Sequence, residues 1–273
     1  MGNAWRRCKN DLYKERVKSL FNYFRFMKER ILSLISNQKR NMIEPLVDEI
    51  YYFYNDKIEL KTTQNRNSRF IRDIIETPEG FVPFGLIELS NSFYSEEALV
   101  HELLHLAMPL THQVYTIGFD YSDKGLFEIT TLIQNVLEHD MFLNEYLDLG
   151  FSIDKFLAEP NLIINYNKRR KEGSLNSVYW IHEYLRLSIT LNHLPLRLKP
   201  VCRKAIDTVR KLAFKEFNYL ENDFKKIKNW IDSKKFHEEH FIEIRNLFKI
   251  FNIGPPTKIL SIDEPGKLKE ILF

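Results

Sequence analysis

Apolar positions recur at helical spacing through the first forty residues. Val17, Leu20, Phe21, Phe24, Met27, Ile31 and Leu34 share one face, which predicts a long amphipathic helix. Its other face is basic, with Arg6, Arg7, Lys9, Lys14, Arg16, Lys18, Arg25, Lys28 and Arg30 against Asp11, Glu15 and Glu29. Glu44 to Tyr54 reads as a second helix, opened by Pro45 near its first turn. The period then changes. Lys57 to Thr62 alternates polar and apolar as a strand does, Phe70 to Ile75 is a weaker strand, and Phe81 to Leu89 is a third. Thr77-Pro78-Glu79-Gly80 is a turn between the last two. Ser92 and Ser95 then offer helix N-caps, with Glu96 and Glu97 in the first turn, where the helix dipole favours acids. That helix runs through Leu99, Val100, Leu103, Leu104 and Leu106, and Pro109 is expected to end it. After a loop, a long helix is expected from Leu126 to Leu149, closed by Gly150. From Val178 onward the pattern is helical to the end, punctuated by Leu194-Pro195, Lys199-Pro200 and Gly254-Pro255-Pro256.

The expected fold class is α+β, predominantly helical, with a small sheet in the first third. The chain divides by pattern into an N-terminal basic helix (1–42), a core (43–155) and a C-terminal helical region (156–273) in one compact whole. Composition narrows the class further. An apolar share of 44% and a charged share of 28% are those of an ordinary globular chain and exclude disorder. Two cysteines, Cys8 and Cys202, are too few for a disulfide framework or a cysteine-based zinc site, so both are expected to stay reduced, as in the cytoplasm. Met1 to Asn10 is polar and leads into no apolar segment, so no secretory signal is expected. No apolar stretch reaches the ~18 residues a membrane span needs. The net charge of +3 is too small for a dedicated nucleic-acid binder, although the basic first helix leaves a membrane or nucleic-acid adaptor as an alternative.

The pattern His101-Glu102-Leu103-Leu104-His105 changes the picture most. Positions four apart share a helix face, so the two imidazoles project side by side and can hold one metal ion. Glu102 is close enough to reach a water on that metal. This is the HExxH arrangement of zinc hydrolases, in which zinc activates water and the glutamate takes its proton. A catalytic zinc needs a third protein ligand. Position 111, where one variant of the motif has its third histidine, is Thr111, Met108 stands in place of that variant's glycine, and His112 is one place off. On the next helix, Glu128, Asn135 and His139 fall on one face with Thr131, and Glu138 adjoins them.

The strand followed by the helix Glu97 to His105 resembles the zincin superfamily of metallopeptidases, over roughly Lys57 to Gly150. That resemblance implies a zincin-like core, in which a short sheet packs over the active-site helix and a later helix brings the third ligand. Gly125-Leu126-Phe127-Glu128 resembles the gluzincin Gly-x-x-Glu context. Asn135, His139 and Gly150-Phe151 resemble a group of uncharacterised bacterial HExxH proteins, which implies His139 as the third ligand with Asn135 beside it. Glu138 and Glu128 stand as alternative ligands or outer neighbours. The expectation is a zinc-dependent metallopeptidase with a peptide or protein substrate, Zn2+ on His101, His105 and His139, and Glu102 as general base. A non-catalytic regulator or interaction protein on the same scaffold is the alternative. Tyr115, Tyr121, Asp120 and Asp123 are lesser candidates near the site, Asp123 chiefly as a helix cap. Trp180, His182, Glu183 and Tyr184 form a dense cluster on a later helix, while His193, His237 and His240 are expected at the surface.

Overall fold

A computed structural model describes residues 26–64, 68–77, 80–91, 95–111, 116–118, 124–153, 162–174, 176–233, 246–250, 258–264 and 267–272. Two compact units emerge, one of residues 1–111 with 262–268 and one of 112–261 with 269–273. The molecule is mostly helical with a small mixed sheet, the α+β class that the pattern predicts. Among the described residues, no helix is long and apolar enough to cross a membrane.

The first unit begins with helical residues 26–33 (α1), then α2 (Asn37–Phe53). The expected single helix therefore breaks at residues 34–36; its first 25 positions lie outside the described residues. The break has a physical cause at Ser36. Its backbone is extended (φ −61°, ψ 146°), and both its N–H and its hydroxyl donate to the Glu96 carboxylate at 2.8 Å. Pro45 lies inside α2 rather than opening it. Ile31, Leu32, Ile43, Val47 and Ile50 line the core of this unit and are fully buried.

Strands β1 (Ile58–Thr63), β2 (Arg69–Thr77) and β3 (Gly80–Ser90) form a sheet in the order β1-β3-β2. β3 runs parallel to β1, from Ile58 opposite Gly85, and antiparallel to β2, from Thr77 opposite Gly80. A proline is rare in a central strand because it cannot donate to the ladder. Pro83 is accommodated because pairing with β1 starts only at Gly85, so at position 83 the strand has β2 alone as its neighbour. Helix α3 (Glu96–Thr111) packs on β2 and β3. It comes closest at Gly85, where a Cβ would sit 3.4 Å from both terminal carbons of Leu106 and 3.5 Å from Ile58.

The second unit contains β4 (Thr116–Gly118), α4 (Lys124–Asp148), α5 (Leu162–Lys171), α6 (Ser177–His193), α7 (Lys199–Glu216), α8 (Leu220–Ser233) and helical residues 246–250 (α9). α4 ends as expected. Gly150 takes φ 77°, and the Phe151 N–H reaches back to the Tyr146 carbonyl, the pattern of a glycine-terminated helix. α6 is the central helix, packed against α4, α7 and α8. The Asn176 side chain caps it by accepting from the Tyr179 N–H at 2.9 Å. Tyr184 stacks on Phe224 of α8 at 4.2 Å, and the buried Cys202 thiol of α7 donates to the Leu187 carbonyl at 3.3 Å.

The tail departs from expectation. In place of helix to the end, Lys258–Glu264 (β5) and Lys267–Leu272 (β6) are strands, in a second sheet ordered β4-β5-β6, with Thr116 opposite Leu260. The dipeptide Pro265-Gly266 between two short apolar runs is a turn signal, and it outweighs the helical spacing read from the preceding segment.

Candidate metal centre

The motif helix α3 owes its start to a cap. Ser95 Oγ accepts the Ala98 N–H at 3.1 Å, and Glu96 and Glu97 sit in the first turn. Leu99, Val100, Leu103, Leu104, Leu106 and Ala107 are all buried, so α3 is enclosed on most sides and the motif's polar groups are enclosed with it. His105 is fully buried, Glu102 is 5% exposed and His101 is half-buried. The His101 and His105 rings lie 4.7 Å apart and nearly perpendicular, on the one helix face where their spacing of four places them. Glu102 Oε1 is 3.2 Å from His101 Nδ1.

Pro109 does not end this helix, which continues to Thr111. The reason lies in what replaces the missing hydrogen bond. A proline has no N–H to give the carbonyl four residues back, here that of His105. Arg72 of β2 donates to that carbonyl at 3.1 Å. At the next carbonyl along, the buried Tyr54 hydroxyl donates to Leu106 O at 3.1 Å. Two residues before Arg72, on the same face of β2, Phe70 stacks on the His105 ring at 4.2 Å, and the Arg72 guanidinium lies 5.0 Å from the Phe70 ring centre. Burial, followed by the positive charges of His101 and Arg72, holds His105 well below the usual imidazole range. It is therefore neutral at pH 7, the state in which imidazole binds metal.

Among the described residues, one group of side chains has donor atoms grouped as a metal ion requires. A ring nitrogen from each of His101, His105 and His139 lies within 4.8 Å of the others. His139 is half-buried on α4, its ring edge-on to Phe142 at 5.5 Å. The other candidates on α4 are placed differently. Glu138 is fully buried and accepts from Gln134 Nε2, one turn earlier, at 2.9 Å. Asn135 is half-buried on the same helix. The Glu128 side chain lies outside the described residues, as do His112, Tyr115, Asp120, Tyr121 and Asp123.

Sequence reasoning missed Phe70 and Arg72. The available signals were a Phe-x-Arg alternation in a strand candidate and a proline four residues after His105. It also misplaced His193, which is not at the surface: its Nε2 lies 2.6 Å from Asp140 Oδ1, and both side chains are nearly buried. Three members of the α6 cluster, Trp180, Glu183 and Tyr184, belong to the core. Trp180 is fully buried, and Glu183 is held by Arg186 at 2.7 Å and His182 at 3.4 Å. His237 and His240 lie outside the described residues. No family model, curated protein or solved structure matches the chain.

Proposed function

We propose that the chain is a zinc-dependent hydrolase of the zincin type, a metallopeptidase that cleaves amide bonds in peptide or protein substrates. The observation that carries this reading is the grouping of the His101, His105 and His139 ring nitrogens within 4.8 Å, with Glu102 adjoining. The donor set fits zinc. Three neutral imidazoles with an open fourth position make up one of the established catalytic zinc sets. Zinc–nitrogen bonds of about 2.1 Å place ligand nitrogens about 3.4 Å apart. Ring rotations that draw the donors closer together would meet that requirement.

A zinc ion held there supplies Lewis acidity and lowers the pKa of water towards 7. The chain's own residues do the rest. An Nδ1–H of His101 donating to Glu102 Oε1 fixes the tautomer that leaves Nε2 for the metal and orients the carboxylate. The second oxygen of Glu102 takes the proton from the attacking water and returns it to the leaving nitrogen. The apolar wall of α3 and the Phe70 ring exclude bulk water from His105 and strengthen every charge interaction nearby.

One observation favours a second reading. Glu102 is only 5% exposed and already engaged by His101, as it would be in a metal-binding regulator that has kept the scaffold without turnover. A single experiment separates the two. Zinc-loaded protein is incubated with a quenched fluorescent peptide library, alongside Glu102→Gln and an EDTA-stripped sample. The hydrolase reading expects cleavage that falls by about 10²–10⁴ in Glu102→Gln while the zinc stays bound. Zinc retention with no cleavage by the parent protein selects the regulator.

A further inference from the structure

His105 is held at both ends by one strand. Its imidazole lies against Phe70 and its carbonyl accepts from Arg72, two residues apart on the same face of β2. The carbonyl is available only because of Pro109. Any other residue at 109 would offer an N–H to His105 O and return it to the helical ladder. Proline withholds that N–H, and its ring crowds the same carbonyl. An orphaned carbonyl in a buried helix is costly unless another donor meets it. The guanidinium of Arg72 meets it, and a charged donor makes the stronger kind of hydrogen bond.

We infer that Arg72 is a positioning residue for the metal site: it supplies the hydrogen bond that Pro109 denies to His105, and so sets the orientation from which His105 presents its ring. Phe70 then limits rotation of that ring. Strand and helix are coupled at the one ligand that is fully buried, through a contact that a regular helix would not need. This rests on the metal-site reading for its main readout, and it makes a prediction that reading alone does not. Arg72 matters only while residue 109 is a proline.

The test is a double-mutant cycle on the full chain: parent, Arg72→Met, Pro109→Ala and the double variant. Methionine keeps the aliphatic stem of Arg72 and removes the donors. Zinc affinity is measured by competition with a chromophoric chelator at pH 8, where His105 is neutral with or without the Arg72 charge. Arg72→Met is expected to weaken zinc binding about 10-fold in the proline parent and less than 3-fold in the Pro109→Ala background, where the N–H of the introduced alanine takes over. Equal loss in both backgrounds, or no loss in either, overturns the inference. Urea unfolding of the same four proteins gives an independent cycle. If the parent binds no zinc, the metal-site reading fails, and the unfolding cycle still decides the exchange of donors. Coupling between the two substitutions supports it, and additivity overturns it.

Discussion

At His105, burial, a stacked ring and a tethered carbonyl act on one side chain. Burial favours the neutral imidazole, so zinc uptake through His105 should not weaken until pH falls well below 6.5. A zinc titration at pH 7.5 and 6.5 checks this. At His139 the expectation is direct: His139→Ala loses the metal, whereas Glu138→Gln, whose carboxylate is engaged by Gln134, keeps it. Zinc content of the two purified variants distinguishes them, and the reverse pattern would make Glu138 the ligand. The motif residues were legible in the sequence because a spacing of four on a capped helix is local information. Arg72 was not, since it acts across 33 positions of chain from a strand whose partner no local pattern names.

Among the elements, α6 carries a buried carboxylate, Glu183, flanked by His182 and Arg186. Burial alone would push the Glu183 carboxyl up, but the hydrogen bond from His182 and the charge and hydrogen bond of Arg186 outweigh it and bring it to about 2. A carboxyl lowered on folding contributes stability above its unfolded value of 4.5, and that contribution is lost as pH falls towards 2. Urea midpoints measured between pH 6 and 3 should therefore fall more steeply for the parent protein than for Glu183→Gln. Arg186→Met, which strips the buried carboxylate of its cation, is expected to cost about 3 kcal/mol at pH 7, read from the same unfolding curves. His193 ties α6 to α4 through Asp140, one residue beyond His139. Helix interiors were readable from periodicity, as were the Ser95 start of α3 and the Gly150 end of α4, but two other boundaries were not. Ser36 breaks a pattern that continues through it because a distant glutamate claims its N–H, and Pro109 fails to break one because a distant arginine replaces the lost bond. Both outcomes depend on a tertiary partner, which outweighs the local preference.

For the molecule as a whole, the class was legible and the closing strands were not. β5 pairs with β4 from more than a hundred residues away, so nothing local in Lys258–Glu264 distinguishes it from one more amphipathic helix except the Pro-Gly that follows. The three β1–β3 strands were read correctly because each alternates or runs apolar between turn signals, and β3, the central strand, has the longest apolar run. A metal that binds only the folded chain must also stabilise it. Zinc at 100 times its dissociation constant adds about 2.7 kcal/mol, so EDTA should lower the melting temperature and zinc restore it. The same cycle should leave His105→Ala unmoved. The most direct measurement is the zinc content, by mass spectrometry, of the purified chain and of its His105→Ala and His139→Ala variants. One zinc per chain in the parent and none in either variant is the expected result; a parent without zinc, or a variant that keeps it, would contradict the proposed centre.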